Sequence, residues 1–518
     1  MADDEEPERR FEFAIDEADA RWSGRWRTSQ RFFRLRGHPQ LRRLALNDLI
    51  DVRAAQTDGQ LLCVAYPLVG SRRERRDFRL RSDEPAEFER RLRRALEPPV
   101  PRDPPPPPSI VASRRVLVLV NPHSGTKRAL ARWEKSVRPL FDQMRVVYEL
   151  KRTEHANHAV ELMQRVDLDD YAAVAVLSGD GLIAEVLRGL LTRADDRDRA
   201  LRFPILHVPC GTSNALAGAV CFKSREPFSP RDDFSRELAL MVACPVYRGL
   251  RLQHVQTAHD GDWLMFMTAA WGLIADIDLG SERFRALGLI RLHVEAFIRI
   301  AQLPTMARYK GRVSYKPVND KQLHRHTLLK AEEAWRELGA AHFASGRVEL
   351  FNGNAEGDGE VESGGSSENS IRSVAEAFEG THVGGETPAL SSPVPSDWVT
   401  MEGEFVFVCC SALSHLGSDL PYIPSARMEE EVFYLTFIDW RTLKSRFHMG
   451  HLLITVDRCT HLDHTCLHML PVTACRIEPA AGAGGFIAID GEPVTSGAPF
   501  QVTSTSLQAT VIARDNQR

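Results

Sequence analysis

Hydrophobic positions between Arg115 and Ala243 follow two alternating rhythms. Val116–Val120 (VLVLV), Ala172–Leu177 (AAVAVL) and Ile205–Val208 are unbroken apolar runs, as expected of strands covered on both faces. Leu130, Trp133, Val137, Leu140 and Met144, and later Ile183, Val186, Leu187 and Leu190, recur at steps of three and four, which predicts amphipathic helices. Strand, loop and helix in repetition specify a parallel α/β sheet whose ligand lies beyond the strand carboxyl ends. After about Pro245 the texture changes. Strand-like runs dominate (Trp263–Met267, Arg312–Tyr315, Glu404–Cys410, Val432–Ile438, Ala474–Ile477, Phe486–Ile489), and only Phe284–Leu303 reads as helical. The fold class predicted is an α/β nucleotide-binding domain followed by a β-rich, sandwich-like domain.

The region before Arg115 is a small α+β unit. Leu61–Leu68 and Asp77–Arg81 read as strands; Ser82 and Asp83 are candidate caps before Pro85, after which Phe88, Leu92 and Leu96 recur every four residues. Strands closed by one C-terminal helix resemble a pleckstrin-homology-like (PH-like) module. The expected division is an N-terminal unit over 1–97, a proline-rich linker over 98–114, the α/β domain over 115–244 and the β-rich domain over 245–518. PPVPRDPPPPP (Pro98–Pro108) favours polyproline II and reads as a semi-rigid spacer or an SH3 ligand. Residues 352–396, rich in Gly, Ser and Glu, are expected to be a disordered insertion, with Ser392-Pro a candidate phosphosite.

Composition narrows the class. The 518 residues suggest roughly three domains. With 66 Lys and Arg against 70 Asp and Glu, the net charge of −4 gives no electrostatic reason to bind nucleic acid. The start MADDEEPERR lacks an apolar core, position 2 is Ala rather than the glycine that myristoylation needs, and no apolar run reaches membrane length. The nine cysteines, mostly set in apolar runs, suit buried thiols in a reducing compartment. The expectation is a cytoplasmic protein recruited reversibly to membranes.

Candidate chemistry sits where the α/β strands end. Asn121-Pro-His-Ser-Gly125, Ser178-Gly179-Asp180-Gly181 and Cys210-Gly211-Thr212-Ser213-Asn214 each follow a strand and precede a helix. Glycines let phosphate oxygens approach backbone N–H groups, and each helix start favours an anion. Three such loops on successive parallel strands face one crevice, so a nucleotide site is expected. GxxxxGK[ST], HRD, DFG and a GxGxxG after a strand are all absent, which excludes P-loop NTPases, protein kinases and the dinucleotide fingerprint.

What remains resembles the diacylglycerol-kinase-like lipid kinases. LVNPHSG (Leu119–Gly125), SGDGLIAEVLRGL (Ser178–Leu190) and PCGTSNALA (Pro209–Ala217) are similar to that family's nucleotide loops. Within it the sphingosine kinases match best, through AWGLIADIDLGSERFRALGLIR (Ala270–Arg291), SHLGSD (Ser414–Asp419) and IDGEPV (Ile489–Val494). The likeness covers about 116–311 and 403 to the end. Many relatives have glycine where Ser124 and Ser213 stand. The resemblance implies an ATP- and Mg2+-dependent kinase acting on the primary hydroxyl of sphingosine or a similar long-chain base.

Such a substrate needs a base for the hydroxyl, an anion for the ammonium and an apolar cavity. Asp180 is the candidate base, with Ser178, Gly179 and Gly181 around it. Read without the resemblance, it is a turn residue. By resemblance Asn121, Pro122, His123, Gly125, Thr153, Glu154, His155, Ala156, Asn157, Glu185, Gly211, Thr212, Ser213, Asp490, Gly491 and Glu492 lie at the nucleotide, and Arg285 and Arg291 hold its phosphates. Glu185 alone reads as a first-turn carboxylate, Asp490-Gly491-Glu492 as a hairpin turn, and the two arginines as a solvated helix face. Asp278 is assigned to the ammonium by the resemblance, which alone separates it from Asp276. The metal ligands are unassigned.

Ile274, Leu292, Phe297 and His461 are the expected lipid contacts. The basic amphipathic stretch Arg291–Arg312 is read as a pocket wall or lipid gate, against a calmodulin target or membrane-facing lip. His461, His464, Cys466 and His468, near Cys459, lack the paired CxxC of a structural zinc site. Two rivals stand beside this reading. A diacylglycerol or ceramide kinase needs no ammonium partner, and a catalytically silent scaffold would bind partners through the N-terminal unit and linker.

Overall fold

The computed structural model describes residues 8–514 except 18–19, 39, 56–59, 70–71, 97–114, 124–127, 227–232, 282, 285–289, 302–307, 319–332, 334–371 and 386. The proline-rich linker, Gly125, Arg285 and residues 352–371 therefore lie outside the described residues, as do the side chains of Arg291 and Leu292.

The predicted apolar runs form parallel strands Arg115–Val120, Tyr171–Ser178 and Ile205–Pro209. A fourth strand, Tyr148–Arg152, lies on the outer edge of Arg115–Val120. It escaped the sequence reading because an edge strand faces solvent and needs no apolar run. The helical pattern around Trp133 is broken into Ala129–Arg132, a π-turn over Trp133–Val137, and Arg138–Gln143. Pro139 has no N–H to continue the α ladder, and the apolar face survives with Trp133, Val137, Leu140 and Met144 buried.

The sheet does not stop at the expected 244/245 boundary. The last strand, Phe500–Ala513, lies beside Ile205–Pro209 in parallel through Ile205↔Val511. It also pairs antiparallel with Val246–Thr257 and His468–Pro479. Among the described residues one branched sheet of 14 strands thus runs through both halves of the chain after Arg115. The C-terminal half adds Tyr309–Pro317, Val399–Ser411, Thr268–Gly272, Phe433–Asp439 and the hairpin Ile487–Ile489/Glu492–Val494. It also has a helix, Leu273–Gly280, that the periodicity did not predict.

The N-terminal unit is a seven-stranded antiparallel sheet of two meanders, joined where Arg10–Glu17 pairs with Arg76–Ser82. Helix Pro85–Leu96 buries Phe88 and Leu92 against it, beside Phe11, Phe13, Trp26 and Phe33. Its seam with the rest of the chain is a buried ion network. Arg73 meets Asp48 at 2.7 Å and Glu226 at 2.6 Å, and Arg514 meets Asp48 at 3.1 Å.

The disorder expected up to Ser396 does not extend over the described residues from Arg372 onward. Ser373 and Glu376 form a capping box for helix Val374–Phe378, and Phe378 is buried in the main core. Arg476 donates to the carbonyls of Ser392 (2.6 Å) and Ala389 (2.9 Å), and Gln501 to that of Pro388 (2.8 Å). One aromatic anchor and satisfied carbonyls hold a segment whose composition alone argues for disorder.

Candidate active site

The strand ends open onto a cavity of about 1570 Å³ between the two halves. That exceeds the range of about 300–1,000 Å³ usual for one small ligand. Its polar end is lined by Asn121, His123, Ala156, Asn157, Ser178–Gly181, Glu185 and Gly211–Ser213, with Asp278 and Asp490–Glu492 across from them. Its other end is apolar, with Ile274, Ile277, Phe297, Phe407, Leu420 and Leu453 among the walls.

Two of the glycine loops cross in contact. A Cβ on Gly211 would stand 2.3 Å from the Gly179 Cα, so only glycine fits there. The Cys210 N–H donates to the Ser178 carbonyl at 2.9 Å, locking the crossing. Ser213 is tied in turn to the SHLGSD segment, its carbonyl accepting from the Ser418 N–H at 2.6 Å.

The anions expected at the helix starts are already partly supplied by the protein. Asp180 begins helix Asp180–Leu191, yet its carboxylate points at the next helix. It accepts from the Ala215 N–H (2.8 Å) and the Leu216 N–H (3.1 Å) at the start of Ala215–Ser224. Glu185 does the same for helix His158–Arg165, accepting from the Ala159 N–H at 3.2 Å. Asn157, in the left-handed region, gives that helix no side-chain cap and is instead held by Arg188. Burial raises the Glu185 carboxyl above its ordinary range, against those backbone donors.

Asp490 and Gly491 form the tight turn of the hairpin, both with positive φ (48° and 87°), as the sequence alone suggested. The buried Asp490 carboxylate accepts from the N–H groups of Phe266, Met267 and Thr268 at 2.8–2.9 Å. Burial, with a smaller contribution from the charge of Asp180, pushes it up to about 7.

Helix Leu273–Gly280 separates the two aspartates that a strand would have put on one face. Asp276 turns inward and is buried, accepting from the Tyr309 hydroxyl (2.6 Å), the Phe486 N–H (2.8 Å) and Arg299 (3.3 Å). Asp278 lines the cavity, its Oδ2 3.6 Å from where a Gly491 Cβ would stand.

Several predicted residues lie off the cavity wall. Pro122, Thr153, Glu154 and His155 are near it in chain but do not line it; the Thr153 N–H bonds the Val120 carbonyl, and His155 stacks on His158. His461 is fully buried behind the wall, its Nε2 2.7 Å from the Tyr422 carbonyl and its ring stacked on Tyr422, which does line the cavity. Of the basic stretch, Arg299 pairs with buried Glu295, whereas Arg308 with Glu404 and Arg312 with Glu478 form pairs at the exposed surface, so all three charges already have protein partners.

The sequence reading missed His207. Its Nε2 lies 3.1 Å from the Ser178 carbonyl, which can only accept, so Nε2 carries the proton. Bare Nδ1 then faces Asp180 Oδ1 at 4.0 Å with no hydrogen-bond partner. Burial lowers the imidazole below its usual range and keeps it neutral. A lone histidine inside an apolar strand was the available signal. Helix Arg446–Ile454, which walls the apolar end, was missed too.

Comparison with known proteins identifies the family. Residues 115–236 match the diacylglycerol kinase catalytic domain. Sphingosine kinase 1 of Homo sapiens is 31% identical over 385 residues, covering 74% of this chain and 86% of that protein. Sphingosine kinase 1 of Caenorhabditis elegans is 30% identical over 406 residues (77% and 81%). Sphingosine kinase 2 of Homo sapiens is 30% identical over 463 residues (75% and 69%). At this identity, sustained over most of both chains in relatives from different species, the chain belongs to the sphingosine kinase family.

Proposed function

We propose that this protein transfers the γ-phosphoryl group of ATP to the primary hydroxyl of sphingosine or a related long-chain base. The observation that carries the reading is one continuous cavity. Crossed glycine loops and Asp180 stand at one end, apolar walls at the other, and Asp278 between them.

In this reading the triphosphate rests on the backbone of the three loops, with Arg285 and Arg291 at its phosphates. Asp180 is oriented by two N–H donors, and each carboxylate oxygen keeps lone-pair capacity for the lipid hydroxyl, whose proton it accepts as the oxygen attacks. Asp278 receives the ammonium through a charge-assisted contact, which fixes the hydroxyl relative to Asp180. The donor set fits Mg2+, which binds oxygen and usually takes one or two carboxylates plus substrate phosphates. Asp180 and Asp490 are engaged with backbone N–H groups, so exposed Glu492 on the cavity wall would hold it. The ion would neutralise charge building on the phosphates.

Phe297, Phe447 and Ile454, 67–76% exposed at the mouth, support reversible membrane contact during lipid uptake. Among the described residues no helix is long and apolar enough to cross a membrane. The N-terminal unit, two meanders closed by a helix, we read as PH-like, and the β-rich half as sandwich-like.

The test is transfer from labelled ATP across sphingosine, ceramide and diacylglycerol, with Asp180→Asn in parallel. Sphingosine should be preferred and the variant should lose roughly 10²-fold or more of its turnover. A preference for the neutral lipids would transfer the reading to a diacylglycerol or ceramide kinase.

A further inference from the structure

Behind the lip of the apolar end lies a cluster of nitrogen and sulfur donors that the kinase reading leaves unused. Helix Arg446–Ile454 starts on Ser445, whose hydroxyl accepts from the His448 N–H at 3.2 Å. Arg446, Phe447, Gly450 and Leu453 of this helix line the cavity. His448 and His451, three residues apart, meet the turn that leads into strand His468–Pro479. His448 Nε2 lies 2.9 Å from His464 Nδ1, and Cys466 Sγ lies 3.8 Å from His448 Nε2. The three donor atoms all fall within 4.8 Å of one another. His451 Nδ1 is 3.2 Å from the other nitrogen of His464. Cys466 is buried, and His448 and His464 are half-buried.

A chain of neutral tautomers, His448 donating to His464 and His464 to His451, would satisfy most of the imidazoles. It leaves His448 Nδ1 without a hydrogen-bond partner and gives the Cys466 thiol nothing better than a long contact. A cation accounts for the convergence better. Tetrahedral zinc holds nitrogen at about 2.0–2.1 Å and sulfur at about 2.3 Å, so neighbouring donors stand about 3.3–3.7 Å apart. The observed 2.9 and 3.8 Å bracket that spacing. Imidazole with thiolate selects a zinc-class ion over Mg2+ or Ca2+, which take oxygen.

We propose that His448, His464 and Cys466 form a three-residue binding site for a zinc-class divalent cation, with a solvent molecule completing the fourth position. Binding releases the Cys466 proton to solvent and no electron moves. The ion would join the lip helix to the strand that anchors the apolar end, so occupancy would fix one wall of the cavity. This is independent of the kinase reading, because no donor in it touches the glycine loops.

The experiment uses the full chain, stripped with chelator and titrated with Zn2+ against a chromophoric competitor, then with Co2+ as an optical probe. One ion per chain and a thiolate-to-cobalt charge-transfer band are expected. Cys466→Ser should abolish the band, whereas Cys459→Ser, a buried thiol outside the cluster, should keep it. His464→Gln should weaken zinc at least tenfold. It alters a half-buried side chain, so it retains the test if Cys466→Ser does not fold. Zinc should raise the melting temperature of the wild type and not of His464→Gln. A missing band, or one that survives Cys466→Ser, overturns the proposal, as does equal zinc affinity in His464→Gln.

Discussion

The two ends of the cavity are built by different means. At the polar end, backbone makes the site. Three carboxylates are fixed by main-chain N–H groups, and Gly179 and Gly211 touch Cα to Cα. At the apolar end, side chains make it, among them those of helices Ile290–Ala301 and Arg446–Ile454, whose Phe297 and Phe447 are 74% and 76% exposed. Phosphoryl transfer is mostly a matter of placement, which favours donors that have no rotamers to choose. A lipid tail is recognised by area rather than direction, and it must enter from a membrane, so adaptable side chains serve better there.

The comparison fails first if Asp180 is dispensable. Asp180→Asn keeps the shape, removes the base, and should lower kcat roughly 10²–10⁴-fold; turnover near wild type would show that the oriented carboxylate does no proton transfer. The next effect is selective. Asp278→Asn should raise the KM for sphingosine roughly 10–100-fold, the equivalent of about 1.5–3 kcal/mol for one charge-assisted contact, and leave any trace activity on ceramide unchanged. Equal losses on both lipids would assign Asp278 to the nucleotide instead.

Gly211→Ala probes the backbone end directly. A methyl 2.3 Å from the Gly179 Cα must part the loops, costing about 1–3 kcal/mol of stability and raising the KM for ATP more than that for lipid. Calorimetry and initial rates decide it. The pH dependence follows from Asp490, which burial pushes up to about 7. The folded state then holds this proton more tightly than the unfolded chain, whose carboxyl titrates near about 3.9. Its contribution is full below that value and is lost as pH rises through about 7, so the melting temperature should fall between pH 5 and 8. In Asp490→Asn, which is always neutral, that slope should flatten. The smallest effect belongs to the apolar rim. Phe447→Ala should leave the melting temperature within about a degree, because surface changes usually stay within about 0.5 kcal/mol. It should still slow phosphorylation of vesicle-bound sphingosine a few-fold, with detergent-dissolved substrate unaffected.

A third region contrasts with both. The N-terminal unit is locked to the kinase body by Arg73, Asp48, Glu226 and Arg514, all buried. Removing one partner from such a network leaves a buried charge and costs about 3–5 kcal/mol. The unit is therefore a fixed part of the kinase body, joined by contacts that lie far apart in sequence.

Local pattern was enough for the three apolar parallel strands, the crossing loops of Gly179 and Gly211, the Asp490-Gly491 turn and the N-terminal helix, because each depends on neighbours within a few residues. Tertiary structure decided everything that joins distant segments. It put the last strand beside Ile205–Pro209, turned Asp276 inward and Asp278 outward, and aimed Asp180 at a helix start 35 residues away. It also ordered the stretch after Arg372 on Phe378 and Arg476, and paired His464 and Cys466 with His448 rather than with His461. The physical reason is the same each time. Periodicity records which face of an element is buried, whereas partners for a buried charge, carbonyl or imidazole are found only after the elements have packed.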